Sequence, residues 1–170
     1  DSYYTNYNSN IHRGVHSLSE EATEAYEGSR ENIRRHFNAK YSEEIIFTSG
    51  TTHSLNIISN GFENLLGASD EIIVSGLEHH SNIVPWQMMA KKNKASLKVI
   101  PIDDNGELKL DEFKKIISTN TKLVFVNHVS NTLGTINPIE EIIKISHENN
   151  ALVVIDGAQS AAHFKVDVQK

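Results

Sequence analysis

Read for hydrophobic and polar positions alone, the chain alternates short apolar runs with longer stretches of helical period. After a polar, aperiodic opening, Ala22, Ala25, Tyr26, Ser29, Ile33 and Phe37 recur near helical spacing, which predicts a helix to about Asn38 with one apolar face. Ser17 and Glu20 stand ahead of it at the spacing of a capping box. Strand and helix then alternate. Residues 44–48, 71–75, 97–102, 122–127 and 151–155 read as strands, rich in Ile, Val, Leu and Phe. The intervening pattern predicts a helix from Thr51 to about Leu66, one after residues 78–82 to about Lys94, and one from Asp111 to Ile117. A last helix, with Asn137 as N-cap and Pro138 at its first position, runs to about Glu148. Glu140 and Lys144 would brace it as an i, i+4 pair. The run Ala151–Ile155 holds no polar residue, which predicts a strand buried on both faces under helices.

The expected fold is therefore α/β, a mostly parallel, doubly wound sheet with helices on both faces. No solenoid repeat, low-complexity tract or linker interrupts the pattern, so one domain, or most of one, is expected. Residues 1–18 read as an N-terminal loop and residues 19–170 as the sheet domain. Parallel strands joined by right-handed crossovers would bring the polar clusters after each strand to one edge, where open α/β sheets bind ligands.

Charge and composition then remove whole classes of function. A net charge of -6 argues against a nucleic-acid or anionic-membrane surface. The absence of cysteine removes disulfides, a thiolate nucleophile and cysteine-ligated metal. No apolar run approaches a membrane span and no signal-peptide pattern opens the chain, so a cytoplasmic or organellar stroma- or matrix-like location is expected rather than secretion. The chain opens on Asp1 and closes just after a strand-and-turn signal, so a segment of a longer protein is expected.

Four polar clusters fall on the shared edge. Gly50-Thr51-Thr52 has the makings of an anion cradle, with a tight turn, two hydroxyls and a helix N-terminus. It is neither a Walker loop nor a GxGxxG fingerprint, which disfavours ATP and NAD; two threonines serving only as helix caps remain the alternative. His79 and His80 follow the second strand, yet adjacent histidines do not readily face one ion and no carboxylates complete a shell, so no metal is expected. An imidazole stacked on a flat aromatic ligand suits His79, with a histidine at a surface helix start as the alternative. Asp156 ends the last strand, where it either caps the next turn or holds a cation. Together with Gln159, these residues suit a phosphorylated aromatic ring with a protonated nitrogen, which describes pyridoxal 5'-phosphate.

At that point the chain resembles a known family. HRGVH (12–16), AYEG (25–28), FTSGTT (47–52), EHHSNIVPWQ (78–87), HVSNTLG (128–134) and DGAQ (156–159) are similar to the class V aminotransferase group of fold-type-I pyridoxal-phosphate enzymes. Within it they resemble the group II cysteine desulfurase and selenocysteine lyase branch. The resemblance implies that Thr51 and Thr52 bind the cofactor phosphate, His79 stacks on the ring, Asp156 pairs with its nitrogen and Gln159 bonds its phenolic oxygen. It further implies that Asn131 sits beside the substrate carboxylate and that His12 and Arg13 line the pocket, with His79 and Asp156 as the catalytic pair. An L-cysteine substrate, a sulfur-acceptor protein and a homodimer are implied as well. The family's Schiff-base lysine and nucleophilic cysteine would lie beyond Lys170, and Lys165 and Lys170 lack the lysine's sequence context. The full-length parent is thus expected to be a cysteine desulfurase and the 170-residue chain alone to be inactive. A selenocysteine lyase, another class V enzyme or an inert folded fragment are the alternatives.

Overall fold

Four of the five apolar runs become strands in the computed structural model, which describes residues 1–170. They are β1 (Glu71–Ser75), β2 (Ser96–Ile100), β3 (Thr121–Asn127) and β4 (Leu152–Asp156). All neighbours run parallel, in the order β2-β1-β3-β4. Residues 44–48 do not pair: Ser42–Glu44 form a 3-10 turn, and Ile46 is left 71% exposed. Apolar, β-branched content alone does not make a strand where no neighbour accepts its hydrogen bonds.

The chain divides into two compact units, residues 1–47 with 165–170, and residues 48–164. The first contains helices α1 (Ser2–Asn6) and α2 (Ser17–His36), so a short helix lies within the segment read as loop. The N-cap of α2 is His16 rather than Ser17; its side chain accepts from the Ser19 N–H, where a Ser17–Glu20 box was expected. Ser19 turns inward instead, donating to the Asn10 carbonyl at 2.6 Å and accepting from the Gly14 N–H at 3.1 Å. A Cβ at Gly14 would lie 2.5 Å from Ser19, so only glycine fits there. Residues 165–170 close on the end of α2 through the Val168 N–H, which donates to the Phe37 carbonyl at 3.0 Å.

In the second unit the sheet carries helices on both faces. Helices α3 (Thr51–Phe62) and α4 (Val84–Asn93) cover one face, where Leu55, Trp86 and Met89 pack on Ile72, Val74, Leu123 and Phe125. Helices α5 (Leu110–Ile116) and α6 (Ile139–Glu148) cover the other, where Phe113, Ile142 and Ile145 pack on Ile73, Val124 and Val126. The period of two along β1 and β3 thus feeds two cores. The Trp86 and Phe125 rings stack with centroids 3.5 Å apart. β1 and β3 are the strands buried on both faces. β4 is an edge strand, with Leu152 53% exposed and Val153 to Ile155 half-buried, which corrects the expectation for residues 151–155. An apolar run reports the composition of a strand, not its place in the sheet.

Helix α6 departs from expectation in its polar details. Its first residue is Ile139, with Pro138 as N-cap, and the Asn137 side chain does not cap it. Asn137 Nδ2 instead reaches the Asn127 carbonyl at 2.8 Å and Oδ1 at 2.6 Å. Glu140 and Lys144 form no ion pair; the neighbouring Glu141 pairs with Lys114 of α5 at 2.9 Å.

The end of the sheet opposite the polar clusters is locked by Glu71. One carboxylate oxygen pairs with Lys98 Nζ at 2.6 Å, and the other accepts from Ser118 Oγ at 2.7 Å and Thr121 Oγ1 at 3.1 Å. Lys98, Ser118 and Thr121 hold the Glu71 carboxyl below the usual range, outweighing the opposing effect of its burial. A depressed carboxyl contributes stability above its unfolded value, about 4.3, and loses it as pH falls through the folded value. Glu71→Gln should therefore lower stability at neutral pH, and the gap from wild type should close toward acid. Urea titrations at a series of pH values check this; a pH-independent gap would contradict it.

Candidate functional site

The C-terminal ends of the parallel strands converge on a cavity of about 210 Å³ whose walls all belong to the second unit. Thr51, Thr52, His79, Asn131, Asp156 and Gln159, the candidates that sequence places on this edge, line it together. Ser81 and Asn127 line it too. Sequence reading singled out neither, although Asn127 closes the strand run 122–127 and is the only polar residue after Lys122 in it.

One wall is the start of α3. Gly50 takes φ +146°, a conformation that excludes L side chains, and its carbonyl accepts the first helical bond, from the Ser54 N–H at 3.0 Å. The N–H groups of Thr51, Thr52 and His53 consequently have no helical acceptor, and with the exposed threonine hydroxyls they form a donor cluster at the positive end of α3. Neither threonine is the N-cap; Gly50 holds that position, which leaves both hydroxyls free of that task.

His79 stands at the turn between β1 and a 3-10 segment, His80–Asn82. Its Nδ1 accepts from the Ser81 N–H at 3.2 Å and lies 2.8 Å from Ser81 Oγ. With Nδ1 an acceptor, the neutral ring carries its proton on Nε2. The ring is exposed and orientated from one side only, as a stacking platform requires.

Asp156 ends β4 in register with Asn127 and is 7% exposed. Its Oδ1 accepts from the Ala158 N–H at 2.9 Å, so it does cap the following turn. No cationic side chain pairs with it, so the other role, holding a cation, stays available to this buried carboxylate. Asn131 and Gln159 are exposed side chains on the turns that follow β3 and β4. The turn after β3 is closed by the Ser130 N–H to the Thr135 carbonyl at 2.9 Å and by Gly134 at φ +73°.

His12 and Arg13 belong to the first unit. There His12 takes φ +63°, its Nε2 lies 3.2 Å from Glu27 Oε1, and Arg13 is exposed. No group of three or more His, Cys, Asp or Glu is arranged to hold a metal ion, and no helix is long and apolar enough to cross a membrane.

The cavity is thus lined by anion donors, a flat imidazole and a buried carboxylate. It is smaller than the roughly 300–1,000 Å³ of an enclosed small-molecule pocket, so this unit supplies a wall of a site rather than a closed one. No lysine lines it.

Comparison with known proteins gives this geometry a family context. The aminotransferase class-V family matches over residues 1–170. A probable cysteine desulfurase of Halalkalibacterium halodurans is 51% identical over 171 residues, covering 100% of this chain and 42% of the relative. The apo structure of a cysteine desulfurase from Thermococcus onnurineus superposes with TM-score 0.95 at 44% identity, over 99% of this chain and 42% of that one. A structure of SspA in complex with cysteine superposes with TM-score 0.87 at 26% identity, over 99% of this chain and 48% of that one. The chain spans about two fifths of the length of the curated relatives it matches.

Gly50→Ala should cost about 1 kcal/mol or more of stability, because alanine cannot take φ +146° without strain. No neighbour lies within 4 Å of the added Cβ, so the cost is conformational rather than a clash. Chemical denaturation reads it; an unchanged midpoint would mean the turn relaxes freely.

Proposed function

The chain belongs to the aminotransferase class-V family, and we propose that its full-length parent is a pyridoxal-phosphate-dependent L-cysteine desulfurase. The observation that carries this reading is the presence of an anion-donor cluster and a buried, cation-free carboxylate in the lining of one small cavity. That combination fits a ligand with a phosphate at one end and a protonated ring nitrogen at the other. The likeness to a probable cysteine desulfurase and to SspA in complex with cysteine supports L-cysteine as the substrate.

When bound, pyridoxal phosphate supplies an electron sink for the carbon next to an amino group. This chain's residues would do the rest of the binding and orientation. The Thr51 and Thr52 hydroxyls and the free N–H groups of α3 would hold the phosphate by charge-assisted hydrogen bonds. His79, aimed by Ser81, would cover the ring face. Asp156 would keep a proton on the ring nitrogen by ion pairing, and its hydrogen bond from Ala158 fixes the carboxylate plane. Gln159 would donate to the phenolic oxygen. Asn131, on the exposed turn, would meet the substrate carboxylate. His12 and Arg13 would serve the same site in the assembled homodimer. The net reaction moves the sulfur of L-cysteine to a cysteine thiol of the parent, leaving L-alanine and an enzyme persulfide that a sulfur-acceptor protein would discharge.

The full-length parent supplied with pyridoxal phosphate should release alanine from L-cysteine. Asp156→Asn keeps an oxygen for the Ala158 N–H but removes the negative charge, and should lose most turnover with an unchanged melting temperature. Alanine formation by the wild type but equally by the variant would remove Asp156 from the mechanism. No alanine from the wild type would overturn the assignment.

A further inference from the structure

Beneath the cavity lies a second carboxylate that no role above uses. Glu78 is partly buried at the end of β1, directly before His79, and no cationic side chain pairs with it. Its Oε1 accepts from Ser75 Oγ and from the backbone N–H of Asn127 at 2.8 Å. Its Oε2 accepts from Asn82 Nδ2 at 2.6 Å. Each partner is itself fixed. Asn82, fully buried, accepts from Trp86 Nε1 at 2.9 Å and donates its backbone N–H to the His79 carbonyl at 2.8 Å. Asn127 donates through Nδ2 to the Leu77 carbonyl at 2.8 Å and receives Asn137.

One carboxylate therefore joins three pieces of the site: the end of β1, the turn that presents His79, and the end of β3 that presents Asn127 opposite Asp156. A purely structural link between strand ends would be served as well by a neutral amide. A glutamine cannot serve here, because three donors converge on the two oxygens and an NH2 group would oppose at least one of them.

We propose that Glu78 is a positioning residue of the pocket, whose carboxylate clamps the His79 turn to the Asn127 end of β3 and so sets the wall on which the cofactor ring would rest. This rests on the cofactor reading for its functional consequence, and on the hydrogen-bond geometry for the clamp itself.

The clamp is sensitive to protonation. Burial pushes the Glu78 carboxyl up to about 7, against the lowering by Ser75, Asn127 and Asn82, and the Asp156 charge raises it further. The titratable groups around it are Asp156 from β4 and the flanking His79 and His80 of its own turn; Ser75, Asn82, Trp86 and Asn127 face it as neutral groups. With a folded value above the unfolded one, about 4.3, the folded protein binds the extra proton, so stability falls as pH rises from about 4.3 through about 7. The deprotonated clamp is held at a cost in stability, as expected of a group kept for the site.

The test follows the Asn127 amide and His79 ring signals of the 15N-labelled 170-residue chain by NMR from pH 5 to 9, without cofactor. The Asn127 amide should titrate with a midpoint near 7 in the wild type. In Glu78→Gln that titration should vanish and the His79 signals should move. In the full-length parent, Glu78→Gln should weaken pyridoxal phosphate binding roughly tenfold or more, the scale of a lost charge-assisted hydrogen bond, with an unchanged far-UV spectrum. An Asn127 amide with the same shift and pH response in the wild type and in Glu78→Gln would overturn the clamp. So would a variant with wild-type His79 signals and wild-type affinity. A wild-type parent that binds no pyridoxal phosphate would sink the cofactor reading alone, while the NMR arm still decides the clamp.

Discussion

The parallel pairing of β1, β3 and β4 is the constraint from which the site follows. Because the strands share one direction, everything that comes after a strand emerges at the same edge, and residues far apart in sequence become neighbours. Asn127 and Asp156 are opposite partners in the β3–β4 register, and His79 follows β1 by a turn. A parallel sheet needs crossovers, and these are the helices that bury its two faces. The apolar content of β1 and β3, with Trp86 and Phe125 on one side and Phe113 and Ile142 on the other, is thus what places polar side chains around one cavity.

Within that cavity charge is arranged by two opposite devices. At α3 the positive character comes from backbone N–H groups freed by a glycine turn, with no basic side chain. At β4 the negative character comes from one carboxylate whose protein partner is a single N–H. The amide cluster is exposed and the Asp156 carboxylate has no cationic partner, so both are available to a ligand. The pocket is polarised toward a ligand that carries both signs.

The second carboxylate, Glu78, shows how such a site is held. Placing two carboxyl groups near one another under the same sheet edge is unfavourable, and the protein answers with neutral donors from three segments rather than with a lysine or arginine. A cation there would compete with the ligand's own cation for the field of Asp156. The far end of the sheet shows the contrast: Glu71, away from the cavity, is neutralised directly by Lys98.

The fold class, the helix-strand alternation and six of the ten residues that line the cavity were legible in the sequence alone, because hydrophobic period and strand-end motifs are local signals. Sequence reading overestimated the strand count at residues 44–48, where composition suits a strand but no hydrogen-bonded neighbour exists. It took β4 for a strand buried on both faces, because a run of Leu, Val and Ile reads the same at an edge. It assigned Ser17, Asn137 and the Glu140–Lys144 pair to local helix contacts, whereas His16 caps α2, Asn137 serves Asn127, and Glu141 rather than Glu140 pairs, with Lys114. Only the tertiary structure decided these, and only it revealed Glu78 as a hub, because its partners come from three strand-end segments separated by up to about fifty residues. Local spacing encodes which residues can do chemistry; three-dimensional packing decides which polar groups must satisfy one another out of water.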